Sequence, residues 1–300
     1  MIKVYEEFCS YLQDKKKASA NTLYSYKRDI KCFIVFLQSK RVSEFNVIDN
    51  SVIDEYVLYL KNNGKSVSTV SRNLSSLRSF FKYLSLKKLV TFNPMVGIKN
   101  DKKESLDLPE VMSANDISTL LSSPDCSTAK GVRDKAMLET MYATGIRVSE
   151  LLALKITDLN LEIGYILVNK GTSKERIVPL YPLAIEAIRS YISGARNEFV
   201  LSSKDQGVLF LNSTGCEMTR QGFWKIIKQY AKNTEIGDHI TPKILRHSFA
   251  THLLENGADI NLLKDMLGHT AISSTMVYAK VLKNKYMNVY ENCHPRAKQM

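Results

Sequence analysis

Apolar residues recur at helical spacing along the first ninety residues of this chain, and polar turns separate the repeats. Spacings of three and four residues put such side chains on one face of a helix, where they can form a shared core. Four stripes of this kind predict a bundle of four helices. They are Val4, Phe8, Tyr11 and Leu12; Leu23, Tyr26, Ile30, Phe33, Ile34 and Leu37; Ile53, Tyr56, Val57 and Leu60; and Val70, Leu74, Leu77, Phe80, Phe81 and Leu84.

A charged segment without helical periodicity follows the bundle, after Asn93-Pro94. Such a segment is typical of a linker, and 300 residues are enough for two domains. We therefore predict a helical domain at residues 1–100, a linker at 101–112 and a second domain at 113–300. Ser113, followed three residues later by Asp116, is expected to cap the first helix of the second domain.

The second domain is predicted to be helical apart from one β-hairpin, which gives a mainly α fold with a small sheet. Gly145 interrupts a helical pattern and places Arg147 at the start of a new helix, where backbone amides favour anions. Glu150, three residues later, can orient that guanidinium. Strands are predicted at 165–168 and 176–180, with Lys170 in the turn. Further helices are predicted from 182 and at 223–231, 243–254, 260–267 and 272–279.

The positive charge of the chain is concentrated in its first third. The net charge is +12; residues 1–105 carry 19 Lys and Arg against 10 Asp and Glu, and the rest carry 23 against 20. A basic domain joined to a balanced one fits a nucleic-acid partner, because phosphate neutralisation supplies affinity. The polar face of the fourth helix, with Ser75 and Ser76 among its hydroxyls, is predicted to lie along DNA; a solvated face is the alternative. Its cations are Lys65, Arg72, Arg78 and Lys82.

The sequence gives no sign of a membrane segment, a disulfide framework or a cofactor site. The sequence has no apolar run of about 20 residues and no signal-peptide pattern at its start, so we expect a cytoplasmic protein without a membrane partner. Five cysteines without a CxxC pair are expected to be reduced thiols. Gly64-Lys65-Ser66 resembles the end of a P-loop, but Tyr59 occupies the position of the required glycine. We therefore expect neither a metal nor a nucleotide cofactor.

Five polar residues of the second domain point to phosphoryl transfer with a tyrosine nucleophile: Arg147, Lys170, Arg246, His269 and Tyr278. Two guanidiniums can hold a phosphodiester and neutralise charge in its transition state. A phenol, with a reference pKa of about 10, needs a neighbour that helps remove its proton, and His269 is a candidate.

Each of these residues also has an ordinary interpretation. An isolated arginine is most often a surface or salt-bridge residue, and Arg147 has Glu150 as a possible sole partner. A histidine such as His247 or His252 is more often a satisfied core group. Tyr286 and Tyr290 compete with Tyr278 as nucleophile.

The order and spacing of the motifs closely resemble the tyrosine recombinase (phage integrase) family, and within it the compact Xer-type enzymes. The resemblance covers nearly the whole chain. The N-terminal region resembles the family's core-binding domain, a SAM-like four-helix bundle. The motifs that carry the resemblance are residues 143–151, Lys170-Gly171, residues 245–254, Leu267-Gly268-His269, and Tyr278 nine residues after His269.

This resemblance implies a mechanism. Tyr278 would attack the scissile phosphate, form a 3′-phosphotyrosyl intermediate and release a 5′-hydroxyl. Arg147 and Arg246 would hold the phosphate, Lys170 would protonate the leaving oxygen, and His269 would hydrogen-bond the transition state.

It also implies an assembly. The two domains would close as a C-shaped clamp on double-stranded DNA with inverted half-sites, in a tetramer on two DNA sites, and recombine them through a Holliday junction at the nucleoid. The residues after Tyr278 would form a tail helix that packs on a neighbouring subunit. The need for a second recombinase or an accessory protein stays open.

One position departs from the family pattern. The second box usually reads His-x-x-Arg, and here it reads Lys243-Ile244-Leu245-Arg246. An ammonium group, with a reference pKa near 10.4, is a donor and not a base at neutral pH. We therefore expect Lys243 to supply charge and a hydrogen bond to a non-bridging oxygen, and His269 or water to accept the tyrosine proton.

Three alternatives stay open at this point. A type IB topoisomerase shares the chemistry but acts without pairing two sites, and a DNA-binding protein can keep the fold without cleavage. Within the family, a mobile-element integrase or transposase competes with chromosome dimer resolution. The absence of a domain before the first helix favours a simple recombinase over integrases that bind separate arm sites.

Overall fold

The computed structural model describes residues 1–14, 16, 19–98, 110–200, 206–235, 237–269, 275, 276 and 278. The chain divides into two compact units, residues 1–106 and 107–300. The predicted linker at 101–112 lies largely outside the described residues, as do most of the predicted helix at 272–279, the residues after Tyr278, and Cys293.

The described residues of the first unit form four α-helices, α1 (Ile2–Asp14), α2 (Ala20–Ser39), α3 (Asn50–Asn62) and α4 (Val67–Leu86), as the apolar stripes predict. Three of them begin at a side-chain cap: Ser19, Asp49 and Ser66 accept hydrogen bonds from backbone amides of the first turn. The helices enclose an aromatic core in which the rings of Phe33 and Tyr56 meet edge to face at 4.9 Å. This confirms the helical bundle.

One ion pair of the first unit joins α2 to α4 around a buried carboxylate. Arg72 on α4 forms a salt bridge with Asp29 on α2, whose side chain is 3 % exposed. Ser76, which we expected on the exposed polar face, is instead fully buried and donates to the same carboxylate at 2.7 Å. The prediction for Ser76 was therefore wrong, because the spacing of polar residues does not reveal a buried acid 47 residues earlier.

The second unit is built around α6 (Ala129–Thr144), which is buried over most of its length. It follows α5 (Ala114–Ser122), whose N-cap is Ser113 as predicted. After α7 (Val148–Ala153), strands β1 (Leu159–Asn160), β2 (Tyr165–Val168) and β3 (Arg176–Pro179) form an antiparallel sheet in sequential order. The remaining helices of this part are α8 (Pro182–Ser193), α9 (Arg220–Tyr230), α10 (Pro242–Glu255) and α11 (Ile260–Leu267).

The mainly helical architecture with one small sheet is confirmed. In the sheet, β2 and β3 pair with Ile166 opposite Val178 and Val168 opposite Arg176. Ile166, Val168 and Val178 are fully buried against the helices, so β3 is held with one face on the core. No described helix is both long enough and apolar enough to cross a lipid bilayer.

Candidate active site

The first element of the site is a turn at Gly145, whose backbone is in the left-handed conformation. Gly145 ends α6 with a φ of 56°, and a Cβ atom there would overlap the ring of Phe249. Only glycine combines this backbone conformation with so close a contact. The reversal makes Arg147 the N-cap residue of α7, with its side chain 44 % exposed. The sequence prediction for Gly145 and Arg147 is thus confirmed in the backbone.

The carboxylate of Glu150 accepts hydrogen bonds from three residues. One oxygen accepts from the backbone amide of Arg147 at 2.9 Å and the other from its guanidinium at 3.0 Å. The carboxylate also accepts two bonds from Arg176, at 3.2 and 2.8 Å, and one from the amide of Asn169 at 3.0 Å. Burial by itself would raise the pKa of Glu150, but the hydrogen bonds from Arg176, Arg147 and Asn169 outweigh it and lower the pKa to about 2. Glu150 is therefore ionised at neutral pH and orients two arginines.

Arg246 on α10 is a buried cation whose hydrogen bonds go to neutral groups. Its guanidinium donates to the carbonyl oxygens of Gly145 at 2.6 Å and Leu267 at 2.8 Å, and to His269 Nε2 at 3.0 Å. Burial, with the charge of Arg147, lowers the pKa of Arg246 to about 10, so it stays charged at neutral pH. A cation held by carbonyl dipoles is ready to bind an anion.

His269 follows α11 and has a partner at each ring nitrogen. Nε2 accepts from Arg246, which can only donate. Nδ1 then carries the proton and donates to Thr275 Oγ1 at 3.0 Å. Burial, followed by the charges of Arg246, Arg147 and Arg176, lowers the pKa of His269 to about 4, so the ring is neutral at neutral pH.

The turn before His269 is hydrogen-bonded to two arginines of the site. Gly268 has a φ of 63°, and its carbonyl oxygen accepts a hydrogen bond from Arg147 Nη2 at 3.0 Å. Arg176 donates from Nε to the Met266 carbonyl oxygen at 2.7 Å. A Cβ atom on Gly268 would lie 2.9 Å from Arg176 Cζ. The end of α11 is thus fixed by arginines from α7 and β3.

Tyr278 lies beside Arg246 and is hydrogen-bonded to His247, a histidine for which the sequence favours a core role. Its side chain is 2 % exposed, and its hydroxyl lies 2.9 Å from His247 Nδ1. Burial raises the pKa of the phenol, and the charge of Arg246 counteracts this. We expected His269 to assist Tyr278; the structure gives His269 other partners and puts His247 on the hydroxyl.

The two predicted site lysines lie at the surface. Lys170 is at the hairpin tip, as predicted, and its ammonium donates to the Thr157 carbonyl oxygen at 3.3 Å. The residue before it, Asn169, donates a hydrogen bond to Glu150, so the hairpin tip is attached to the carboxylate that the arginines share. Lys243 is exposed on α10, one turn before His247, and its charge acts on that ring.

The predicted DNA-binding cations of the first unit do not share one environment. Lys65 and Lys82 are exposed. Arg72 is paired with Asp29, and Arg78 donates to the carbonyl oxygen of Ile98 at 2.8 Å. The two lysines are thus accessible to a phosphate backbone, whereas both arginines have structural partners.

The site as a whole carries more positive than negative charge. The guanidiniums of Arg147 and Arg176 pair with the carboxylate of Glu150, and that of Arg246 lies close enough to feel its charge. The surplus positive charge suits a phosphodiester, whose oxygens guanidiniums bind in pairs. Among the described residues, no group of three or more His, Cys, Asp or Glu side chains is arranged to hold a metal ion.

Sequence reasoning missed Arg176 and His247. An arginine that begins the apolar strand 176–180 was a usable signal, because its pairing opposite Val168 directs it toward the core side of the hairpin. His247 gave no comparable signal, since its contact with Tyr278 spans 31 residues.

Comparisons with known proteins identify the family of this chain. The family described as "Phage integrase family" matches residues 110–285, and "Phage integrase, N-terminal SAM-like domain" matches residues 5–88. The chain is 42 % identical to tyrosine recombinase XerD of Listeria monocytogenes, over 97 % of this chain and 98 % of that protein. It is 40 % identical to tyrosine recombinase XerD of Staphylococcus haemolyticus, over 98 % and 99 %.

A solved structure also shares the fold. The XerH site-specific recombinase bound to its palindromic difH substrate, in a post-cleavage complex, superposes with a TM-score of 0.74 at 22 % identity, covering 96 % of this chain and 84 % of that one. With the two family matches and the full-length relatives, this leads to one assignment: the chain belongs to the phage integrase family, as a tyrosine recombinase.

Proposed function

We propose that this protein is a site-specific DNA recombinase whose nucleophile is Tyr278. The observation that carries the proposal is the position of the Tyr278 phenol beside Arg246, in a site where Arg246 is hydrogen-bonded to His269. These groups come from separate segments of the second unit, and together they offer an anion receptor with a nucleophile at its edge. A lone surface arginine or core tyrosine gives neither.

In this proposal each residue has a defined task. Arg147 and Arg246 hold the non-bridging oxygens of the scissile phosphate, and Arg176 with Glu150 keeps Arg147 in place. Tyr278 attacks phosphorus and forms a 3′-phosphotyrosyl bond. Lys170 leaves the Thr157 carbonyl oxygen and donates a proton to the departing 5′-oxygen.

The tyrosyl ester retains the energy of the broken phosphodiester, so the 5′-hydroxyl can rejoin the strand without ATP. Lys243 hydrogen-bonds the phosphate during the reaction, and His269 does so when its Nδ1–H leaves Thr275. The role of Lys243 is to add charge, since an ammonium group has no lone pair with which to accept a proton.

We further propose the assembly that strand exchange requires. Four subunits would hold two duplexes with inverted half-sites and pass through a Holliday junction, with the protein at the nucleoid. The palindromic substrate named for XerH supports the half-site arrangement. The XerD relatives at 40–42 % identity support a Xer-type recombinase. We propose chromosome dimer resolution as its role, with mobile-element integration as the alternative.

Covalent capture tests the nucleophile and the DNA site together. Wild-type protein and Tyr278→Phe are incubated with sheared, nicked genomic DNA of the source organism, and detergent-resistant adducts are isolated and sequenced. Tyr142→Phe is the matched control, because Tyr142 is also hydrogen-bonded to a histidine of α10, at 2.9 Å.

We expect adducts with wild type and Tyr142→Phe, and none with Tyr278→Phe. Adducts that persist with Tyr278→Phe would assign the nucleophile to another residue. Adducts that map to one chromosomal site support resolution, and adducts at the ends of an element support integration. Adducts without site preference or strand exchange would indicate a topoisomerase, and DNA binding without adducts would indicate a protein that has lost cleavage.

A further inference from the structure

The hydroxyl of Tyr278 has a hydrogen-bond partner of defined geometry on α10. His247 Nδ1 lies 2.9 Å away, and the two ring centroids are 5.2 Å apart with planes tilted by 58°. A buried hydroxyl group needs a protein acceptor because water does not reach it. The imidazole lone pair supplies that acceptor when the ring proton is on Nε2.

Neighbouring groups of the site are committed elsewhere. His269 uses Nε2 for Arg246 and Nδ1 for Thr275. The carboxylate of Glu150 accepts hydrogen bonds from Arg147, Arg176 and Asn169. Of these charged and titratable groups, none offers the phenol a free lone pair.

The surroundings of His247 keep that lone pair available. Burial, followed by the charges of Lys243, Arg246 and His269, lowers the pKa of His247 to about 4. The ring is therefore neutral at neutral pH. A bound phosphodiester brings negative charge next to the same cations, which raises the proton affinity of His247 as the substrate arrives.

We propose that His247 is the general base that accepts the hydroxyl proton of Tyr278 during attack on phosphorus. The O–H bond of Tyr278 breaks and its proton passes to Nδ1, while the phenol oxygen forms a bond to phosphorus. The bond from phosphorus to the 5′-oxygen breaks, and that oxygen takes a proton from Lys170. Rejoining reverses each transfer. This rests on the proposed function, and adds to it the acceptor of the first proton.

The first test needs no DNA. Nuclear magnetic resonance of ¹⁵N-labelled histidine reads the tautomer and pKa of each ring, and Tyr278→Phe assigns the His247 signals. We expect the Nε2–H tautomer with Nδ1 as acceptor, and a loss of the hydrogen-bond shift at Nδ1 in Tyr278→Phe. An Nδ1–H tautomer, which donates to the phenol oxygen, would overturn the proposal.

The second test separates base from acid. The probe is a nicked duplex with the sequence recovered by covalent capture, made with either a 5′-oxygen or a 5′-sulfur at the scissile phosphate. A thiolate leaves without protonation, so sulfur removes the need for an acid but not for a base. His247→Gln is expected to slow adduct formation roughly 10²- to 10⁴-fold on both probes. Lys170→Ala is expected to be slow on oxygen alone.

Two further variants keep the result independent of folding. His252→Gln is the matched control, since His252 lies on α10 and is bonded to Tyr142 and to the Met112 carbonyl oxygen. We expect it to cleave at the wild-type rate. Added imidazole is expected to restore part of the rate of His247→Ala, which it cannot do for a misfolded protein.

Three results would overturn the proposal: His247→Gln at or above the wild-type rate, a His247→Gln defect that sulfur removes, or a defect of equal size in His252→Gln. A rate above wild type would mean that the contact holds Tyr278 back. The proposed function fails by a different result, which is the absence of Tyr278-dependent adducts in wild-type protein.

Discussion

Arg176 and Glu150 form a two-point ion pair, with guanidinium nitrogens 3.2 and 2.8 Å from the two carboxylate oxygens. The pair joins β3 to the start of α7. Glu150 also accepts hydrogen bonds from the backbone amide and the guanidinium of Arg147. The position of Arg147 therefore depends on β3, a strand that follows both α6 and α7 in the chain. The pair therefore links the hairpin to Arg147, which is proposed to hold the phosphate.

Removing this carboxylate is expected to destabilise the protein in a pH-dependent way. Glu150→Gln leaves Arg176 buried without its charge partner, which lowers the free energy of unfolding at pH 7 by about 3 kcal/mol. The pKa of Glu150 is lowered from 4.5 to about 2, so its contribution is complete above pH 4.5 and is lost as the pH falls toward 2. The difference between wild type and variant should shrink over that range in urea denaturation.

Glu162→Gln is the control for this measurement. Glu162 also pairs with an arginine, Arg189 at 3.0 Å, but its carboxylate is 90 % exposed. An exposed pair contributes little, so we expect a change within about 0.5 kcal/mol. Equal effects of the two substitutions would contradict the role given to Glu150.

The carbonyl and backbone of Gly268 are expected to be essential for cleavage. Gly268→Ala places a Cβ atom 2.9 Å from Arg176 Cζ, so the guanidinium must move and Arg147 and His269 with it. Misplacement of a catalytic group by about 1 Å costs on the order of 10²-fold in rate, so we expect adduct formation to slow by about that factor. Gly257→Ala is matched for its backbone, with a φ of 90°, but its Cβ atom meets nothing within 4 Å.

Both glycine variants should lose about 1 kcal/mol of stability, because alanine is strained at positive φ. Only Gly268→Ala should lose cleavage. Adduct formation at fixed temperature, with stability measured in parallel, separates the two effects. Similar rates for both variants would show that the contact with Arg176 does not matter.

The local turns of the site could be predicted from the sequence, whereas the side-chain contacts between distant segments could not. The break at Gly145 and the hairpin around Lys170 follow from turn residues and periodicity within about ten residues. The partner of Arg72 is Asp29, 43 residues away, and that of His247 is Tyr278, 31 residues away. Such pairs depend on how helices pack, and a helical repeat specifies only which face is apolar. The roles of Arg72 and His247 were therefore beyond the sequence argument.

The cations of the first unit are expected to separate into structural and DNA-binding groups. Arg72→Ala leaves the buried carboxylate of Asp29 without its cation, which should lower the free energy of unfolding by about 3 kcal/mol. Lys82→Ala should change it by no more than about 0.5 kcal/mol, because Lys82 is exposed.

DNA affinity measured over a salt series completes this comparison. Loss of one phosphate contact at Lys82 reduces the slope of log affinity against log salt by about 1. Lys65→Ala should behave like Lys82→Ala. An unchanged slope in both lysine variants would show that this face does not contact DNA.

The charge of Lys243 is expected to act on His247 directly. Burial is the larger cause of the low pKa of His247, and Lys243 is the next. Lys243→Ala should therefore raise this pKa above about 4 while leaving it below 6.5, and Lys243→Arg should leave it unchanged. Histidine signals followed by nuclear magnetic resonance over pH 3 to 8 give the values. A lowered or unchanged pKa of His247 in Lys243→Ala would place the ammonium group away from the ring.

Lys243→His tests the role of this position in catalysis. Sharply faster cleavage with a new titration near pH 6 to 7 would show that an imidazole at position 243 takes the proton, and that Lys243 supplies more than charge.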